Sequence, residues 1–481
     1  MRNQSDIDTI TTNSTMDVDQ HVTLETRVTP RFDVVGLKSD MKSTQVCATL
    51  QANELPEDDS DDGRAAVDIV VALDVSGSMT GKKLQLCKET LKLLLRQLSD
   101  NDRFGLVTFA SEAQVDYSIT RMTEKAKNKA LSTIMALGTR GCTNLSGAIG
   151  LAAEEIRSVA EPNDVRTVFL LTDGHANEGI TSEQGITQLA RGCFSDQQPP
   201  ITMHCFGYGS DHNEALLLAI SNATQGGTYY FVENDSGVVT AFGDALGGVL
   251  SVVSQNTTLR ITVPKEASEF GVSIIEVHHE KAIRLDDGSY KVPLGDLYAE
   301  EGRDVLMTVM LAKKAIDVPH VNVSVTYTDT VNKMLATSEN KYAFIARPGN
   351  DTVAKPDKHV EVQWLRVNAV QEMEAAKKLS RDGDLEKARS TINASLGFLK
   401  SNADVQDDGV VMQMVADMES VEEGLRSQRS FLRFGAKNMT AKCQTHARQR
   451  CAEASPATTN VYRSKKKKAM TLKMFANNSA P

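Results

Sequence analysis

Five oxygen-bearing residues, in three separate stretches, have the types and spacing to hold a metal ion. Asp74, Ser76 and Ser78 stand at i, i+2 and i+4 in Asp74-Val75-Ser76-Gly77-Ser78. A carboxylate and two hydroxyls at that spacing converge easily on one short loop. Thr143 follows Gly141-Cys142, and Asp173 lies in Thr172-Asp173-Gly174. All five are hard oxygen donors, with no Cys or His among them. That set excludes a zinc preference and favours Mg²⁺, with Mn²⁺ or Ca²⁺ as alternatives. Hydroxyls are weak neutral ligands, so they leave the cation under-neutralised. Such an ion keeps water, and one position can accept a carboxylate from outside.

Catalytic signatures do not accompany these residues. No G-x-S-x-G elbow and no H-E-x-x-H occurs. Ser76 or Ser78 would need a base to act as a nucleophile, and His175 is the nearest candidate by loop position. The stretch 77–82 has three residues between its glycines, not four, and Lys83 where a phosphate loop needs Ser or Thr. The expectation is a non-enzymatic protein.

The elements around the five residues are those of a doubly wound α/β sheet. Residues 67–73 (VDIVVAL) form a nearly continuous β-branched run, which suits a parallel strand covered on both faces. Leu84, Cys87, Leu91, Leu94 and Leu98 then make one helical stripe. Strands follow at 104–109, 168–171, 201–206 and 228–232, with helices between them. A long helix marked by Val239, Phe242, Leu246, Val249 and Val253 closes the series. Alternation of this kind places the loops after the strands' carboxyl ends in one crevice, which brings Asp74, Ser76, Ser78, Thr143 and Asp173 together.

Around this unit the period changes. Alternating apolar residues at Leu259 and Ile261, at Val305, Met307 and Val309, and at Val321, Val323 and Val325 predict antiparallel strands. Residues 20–55 have the same texture. The two stretches, 21–62 and 257–347, are expected to form one β-sandwich, with the α/β domain of 63–256 inserted through an acidic loop at 54–62. Residues 357–434 carry three amphipathic stripes: Val362 to Ala376, Leu385 to Leu399, and Val411, Met414, Met418, Val421, Leu425 and Leu432. They predict a helical bundle, with Met412, Met414 and Met418 as core packing. Residues 1–20 are polar and expected to be disordered.

The formal net charge of −10 hides an uneven distribution. Residues 433–473 hold 11 Lys or Arg and one acid, Glu453, so the remainder carries about −20. Residues 435–481 therefore read as a basic tail beside an acidic body. Lys465–Lys468 suits a nuclear signal, an anionic-membrane patch, or a segment that folds back on the acidic body. Nucleic acid is not an expected partner. With no apolar signal segment and seven dispersed cysteines, the expected location is the cytoplasm, with the nucleus as alternative. Cys443, His446 and Cys451 supply three zinc-type ligands but no fourth.

The D-x-S-x-S run, the later Thr143 and the later Asp173 resemble the metal-ion-dependent adhesion site of the von Willebrand factor A family. The resemblance covers about residues 67–255 and extends to Leu171-Thr172-Asp173-Gly174-His175-Ala176-Asn177-Glu178-Gly179 and Phe206-Gly207-Tyr208-Gly209. Cys142 departs from it, where a Gly is expected. The resemblance implies direct ligation by Ser76, Ser78 and Thr143, with Asp74 and Asp173 acting through water. The helical end, including residues 438–450, resembles the C-terminal region called Vwaint. Some relatives with that region carry a RING finger; its paired cysteines are missing here, so ubiquitin ligase activity is not carried over. The function expected is metal-dependent binding of a protein partner that supplies an Asp or Glu. The alternatives are an intracellular scaffold of a ubiquitin-type or chaperone assembly, acting through the helical domain, and peripheral membrane binding through the basic tail.

Overall fold

The computed structural model describes residues 23–55, 64–194, 197–209, 212–233, 235–451 and 461–478. The segment 1–20 and most of the acidic loop 54–62 lie outside the described residues. The chain opens with β1 (Leu24–Pro30) and β2 (Ser43–Ala52). The α/β unit follows as β3 (Val67–Asp74), α1 (Lys82–Gln97), β4 (Arg103–Phe109), β5 (Ala113–Arg121), α2 (Glu124–Ala136), α3 (Leu145–Arg157) and β6 (Val165–Thr172). It continues with α4 (Glu183–Phe194), β7 (Ile201–Tyr208), α5 (Glu214–Asn222), β8 (Tyr229–Val232) and α6 (Asp235–Val249). Its sheet has the order β5-β4-β3-β6-β7-β8, parallel except for the edge strand β5.

Every residue of β3, β4, β6 and β7 is buried, which explains their continuous apolar runs. Val67, Ile69, Val71 and Leu73 pack in the core of α1, α2 and α6. Val70 and Ala72 pack in the opposite core, with α3, α4 and α5. The fold is thus a Rossmann-like doubly wound domain. Strand β5 escapes the sequence reading because it is half exposed at an edge and carries polar residues on its open face.

The second unit holds β9 (Val252–Thr262), α7 (Lys265–Glu269), β10 (Ser273–Val277), β11 (Ile283–Arg284), β12 (Tyr290–Tyr298), β13 (Gly302–Met310), β14 (Val321–Asp329), β15 (Met334–Thr337) and β16 (Lys341–Ala343). One sheet runs β1-β2-β13-β10 and the other β11-β12-β9-β14-β15, with β16 also on β14. Val46, Ala48, Leu50, Val305, Met307 and Val309 of the first share a core with Leu259, Ile261, Val321, Val323 and Val325 of the second. The chain leaves the first sheet after β2 and enters the second at β9, so both ends of the α/β unit are tied into paired strands. One expectation fails here. Val253 is not helical: α6 stops at Val249, and Val253 sits in β9 with its side chain in the sandwich core. Its β-branched pair with Val252 suits a strand.

The helical region comprises α8 (Lys358–Arg381), α9 (Leu385–Ser401), α10 (Gly409–Gly424), the short α11 (Gln428–Ser430), a π-turn at Phe431–Gly435, α12 (Ala436–Arg448) and α13 (Lys465–Asn478). The stripes of α8, α9 and α10 meet in one core with Phe431, Met439 and Cys443. Two expected core residues are not in it. Leu432 is 60% exposed, because the wider π-turn rotates Phe431 inward instead. Met412 is 55% exposed, lying off the face of Val411, Met414 and Met418.

The stretch read as a basic tail is largely built into the fold. Helix α13 lies on α6, where Gly243 and Gly247 let the backbones of Thr471 and Lys467 approach within about 3 Å of a would-be Cβ. Met470 and Met474 join the α/β core. Lys467 is 1% exposed, bonds Asp244 Oδ2 at 3.3 Å and lies over the Tyr298 ring. Arg450 is also buried. It bonds both Glu301 oxygens at 2.8 Å, together with the carbonyls of Gly226 and Asp296. The positive charges were visible in the sequence, but the buried acids they answer lie more than 140 residues away.

Two stability predictions follow from these buried charges. Glu301 also pairs with Arg303 at 2.7 Å, so Glu301→Ala strands two buried guanidinium groups. It should cost about 3–5 kcal/mol in chemical denaturation; a loss under about 1 kcal/mol would contradict the buried network. Asp417 accepts from His446 Nε2 at 2.9 Å and Lys442 Nζ at 2.5 Å. Burial raises its carboxyl, but those partners outweigh it and lower it from 3.8 to about 2. Its contribution is complete above 3.8 and lost as pH falls through about 2. Wild type should therefore lose more stability than Asp417→Asn between pH 4 and 2, read by urea midpoints.

Candidate functional site

Strands β3 and β6 are parallel neighbours, and their carboxyl ends carry the first half of the site. Asp74 ends β3 and Thr172 ends β6. Asp74 Oδ2 accepts from Thr172 Oγ1 at 2.6 Å, and Oδ1 accepts from the Ser76 backbone N–H at 2.8 Å. This fixes the turn that aims Ser76 and Ser78 the same way: their hydroxyls are 3.0 Å apart. Ser78 Oγ donates to Asp173 Oδ1 at 2.7 Å, joining the β3 and β6 loops.

Thr143 comes from the loop before α3. Its backbone N–H donates to Asn177 Oδ1 at 2.7 Å, and its carbonyl accepts from the N–H groups of Asn177 and Glu178. Asn144 caps α3 by accepting from Gly147 N–H at 2.9 Å. Gly174 then shows where the loops meet. A Cβ there would lie 3.4 Å from Thr143 Oγ1 and 3.9 Å from Ser78 Oγ. The missing side chain leaves space between those hydroxyls. All five sequence-predicted residues, Asp74, Ser76, Ser78, Thr143 and Asp173, thus lie around one cradle at the sheet edge. Asp74, Ser76, Thr143 and Asp173 are buried, whereas Ser78 is exposed and opens the cradle to solvent.

The cradle gathers two buried carboxylates in one place. Burial pushes the Asp74 carboxyl above its usual value; the hydrogen bonds from Thr172 and Ser76 work against that, and the Asp173 charge adds to it. Lys83, from the first turn of α1, pairs with Asp173 Oδ2. The donor set of two buried carboxylates and three hydroxyls fits a hard divalent ion. Sequence reasoning missed Lys83, Thr172, Asn177 and the open position at Gly174. In the sequence Lys83 stands out only as the residue that breaks a phosphate-loop pattern. His175 and Cys142 are exposed at the rim, and the described hydrogen bonds do not join His175 to either serine.

The trio Cys443, His446 and Cys451 does not assemble. His446 is bonded to Asp417 and Tyr462, and Cys451 Sγ accepts from Arg463. Among the described residues, the His/Cys/Asp/Glu trio whose ligand atoms lie within 4.8 Å of one another is Cys47, Asp304 and His359.

A doubly wound sheet bearing such a cradle at the ends of β3 and β6 defines a von Willebrand factor type A domain. Residues 68–244 match the family model described as "von Willebrand factor type A domain", so the chain contains a domain of that family. The chain is similar to E3 ubiquitin-protein ligase WAV3 of Arabidopsis thaliana, at 30% identity over 52% of this chain and 32% of that protein. It is also similar to inter alpha-trypsin inhibitor, heavy chain 4, of Mus musculus, at 30% identity over 50% of this chain and 25% of that protein. It thus spans about a third or less of these relatives' length. A solved "von Willebrand factor type A from Catenulispora acidiphila" has a TM-score of 0.64 at 15% identity, covering 86% of this chain and 96% of that one. The fold resemblance therefore extends beyond the α/β unit. Among the described residues, no helix is long and apolar enough to cross a membrane.

Lys83 is the local test of the cradle's charge. Its ammonium would compete for Asp173 with any divalent ion held in the cradle, so Lys83→Ala should tighten Mg²⁺ binding about tenfold in calorimetry, the equivalent of ~1.4 kcal/mol. Unchanged binding would contradict the competition, and weaker binding would show that Lys83 supports the site instead.

Proposed function

We propose that this protein is a non-catalytic binding protein whose sheet-edge cradle holds a divalent cation, Mg²⁺ by preference, and captures an acidic side chain of a protein partner. The observation that carries this reading is the meeting of three loops around the space left by Gly174. Ser76, Ser78 and Thr143 would hold the ion, with Asp74 and Asp173 acting from behind through water. When bound, the ion supplies an open coordination position for a carboxylate. The protein's own residues do the rest. Asp74 orders the β3 loop through Ser76 N–H, Asn177 positions Thr143, and exposed Ser78 faces the approach.

The other readings have less behind them. The ligase named among the relatives is matched over only 32% of its length, so its activity is not transferred here. A scaffold role through α8–α10 has exposed apolar residues Phe398 and Met412 in its favour but no site chemistry. Membrane binding by Lys465–Lys468 is opposed by the fold: Lys467 is buried, and Lys465 pairs with Glu54.

The test is a pulldown from a lysate in Mg²⁺ and in EDTA, with wild type and Asp74→Ala. Partners should be retained only by wild type in Mg²⁺, with recovery falling at least about tenfold in the other arms. Equal recovery in all arms would contradict the proposal.

A further inference from the structure

A second cluster lies where the sandwich meets the helical region. Cys47 comes from β2, Asp304 from β13 and His359 from the first turn of α8. Strands β2 and β13 are antiparallel neighbours, with Thr49 opposite Asp304 and Cys47 opposite Leu306. Cys47 and Thr49 therefore share a sheet face. Cys47 Sγ is 3.5 Å from Asp304 Oδ1, and His359 Nε2 is 2.7 Å from the same oxygen. Thr49 Oγ1 lies 2.6 Å from it and 3.3 Å from His359 Nε2.

We propose that Cys47, Asp304 and His359 form a three-ligand Zn²⁺ site with an open fourth position, independent of the sheet-edge cradle. The ligands would be Cys47 Sγ, Asp304 Oδ1 and His359 Nε2, with a water beside Thr49 in the fourth position. Thiolate, imidazole and carboxylate are the donors Zn²⁺ takes, in contrast to the all-oxygen cradle. Tetrahedral bonds of about 2.0–2.3 Å put ligand atoms about 3.3–3.7 Å apart. The Cys47–Asp304 distance of 3.5 Å already meets this. The His359–Asp304 contact has to widen by less than about 1 Å.

Charge favours the same assignment. A thiolate and a carboxylate neutralise a divalent ion, so the loaded centre is neutral where Cys47 is fully buried. In the loaded form Cys47 is a thiolate, its proton having left to solvent, and His359 carries its ring proton on Nδ1 so that Nε2 can ligate. The carboxylate is already oriented from behind. Gln449 Nε2 donates to Asp304 Oδ2 at 3.1 Å, and Gln449 Oε1 accepts from Asp304 N–H at 2.6 Å. Ligating carboxylates are commonly held by such outer partners. The His359 side chain is 34% exposed and offers a path from solvent. The ion would tie β2 and β13 to α8.

Co²⁺ is the probe, added to the full-length, chelator-stripped protein and followed by absorption. Wild type should develop a near-ultraviolet thiolate-to-cobalt band and intense tetrahedral visible bands, both removed by Zn²⁺. Asp74→Ala should retain them, because the cradle contains no sulfur. Cys47→Ser should lose the thiolate band, and His359→Ala, a change at a partly exposed residue, should weaken Co²⁺ binding at least about tenfold. No thiolate band in wild type, or a band unchanged in both Cys47→Ser and His359→Ala, would overturn the assignment.

Discussion

Two carboxylates buried side by side at the end of a parallel sheet set the terms for this structure. Asp74 and Asp173 are 0% and 1% exposed. Charges so placed are costly unless hydrogen-bonded and paired. Asp74 is held by Thr172 and Ser76, Asp173 by Ser78 and Lys83. Each of these partners comes from the end of β3, the end of β6 or the start of α1, so the local fold follows from keeping that negative charge in place. Under the proposed function, a divalent ion among the hydroxyls would complete the neutralisation that the Lys83 ammonium begins.

The rest of the molecule makes that edge rigid. Both chain ends of the α/β unit enter paired strands, at β2 and β9. The C-terminal segment then crosses back over the junction. Arg448 reaches Gly227 and Asn222, Arg450 reaches Gly226 and Glu301, and Lys467 reaches Asp244. These are buried or half-buried charges with geometrically specific partners. They fix how the three regions sit together more than they add net stability. The proposed capture of a carboxylate would benefit from such a frame, because little ordering would remain to be done on binding.

Much of this was legible in the sequence where the signal was local. The continuous apolar run of β3, the D-x-S-x-S loop and the helical stripe of α1 all lie between residues 67 and 98. Their physical consequences could be read without knowing the fold, and the doubly wound class followed from strand–helix alternation. Most of what the sequence reading missed depends on contacts distant in sequence, and the rest on local departures from a regular period. Lys83 has no assigned role until Asp173, 90 residues on, is placed beside it. For the basic segment, folding back on the acidic body was one of the three uses the sequence suits, but its depth of burial and its partners Asp244 and Glu301 could not be named from the sequence. Leu432 looked like a core residue because a regular helical period was assumed through the π-turn. Cys47 and Asp304 are 257 residues apart and meet only through the pairing of β2 with β13.

Binding of a divalent cation in the cradle beneath Ser78 is the property on which the proposed function turns. A crystal structure grown in Mn²⁺, with anomalous difference maps, tests it most directly. The account predicts a peak within direct ligand distance of Ser76, Ser78 and Thr143 hydroxyls, with Lys83 withdrawn from Asp173. Well-ordered loops with no peak there, and Lys83 still on Asp173, would contradict it.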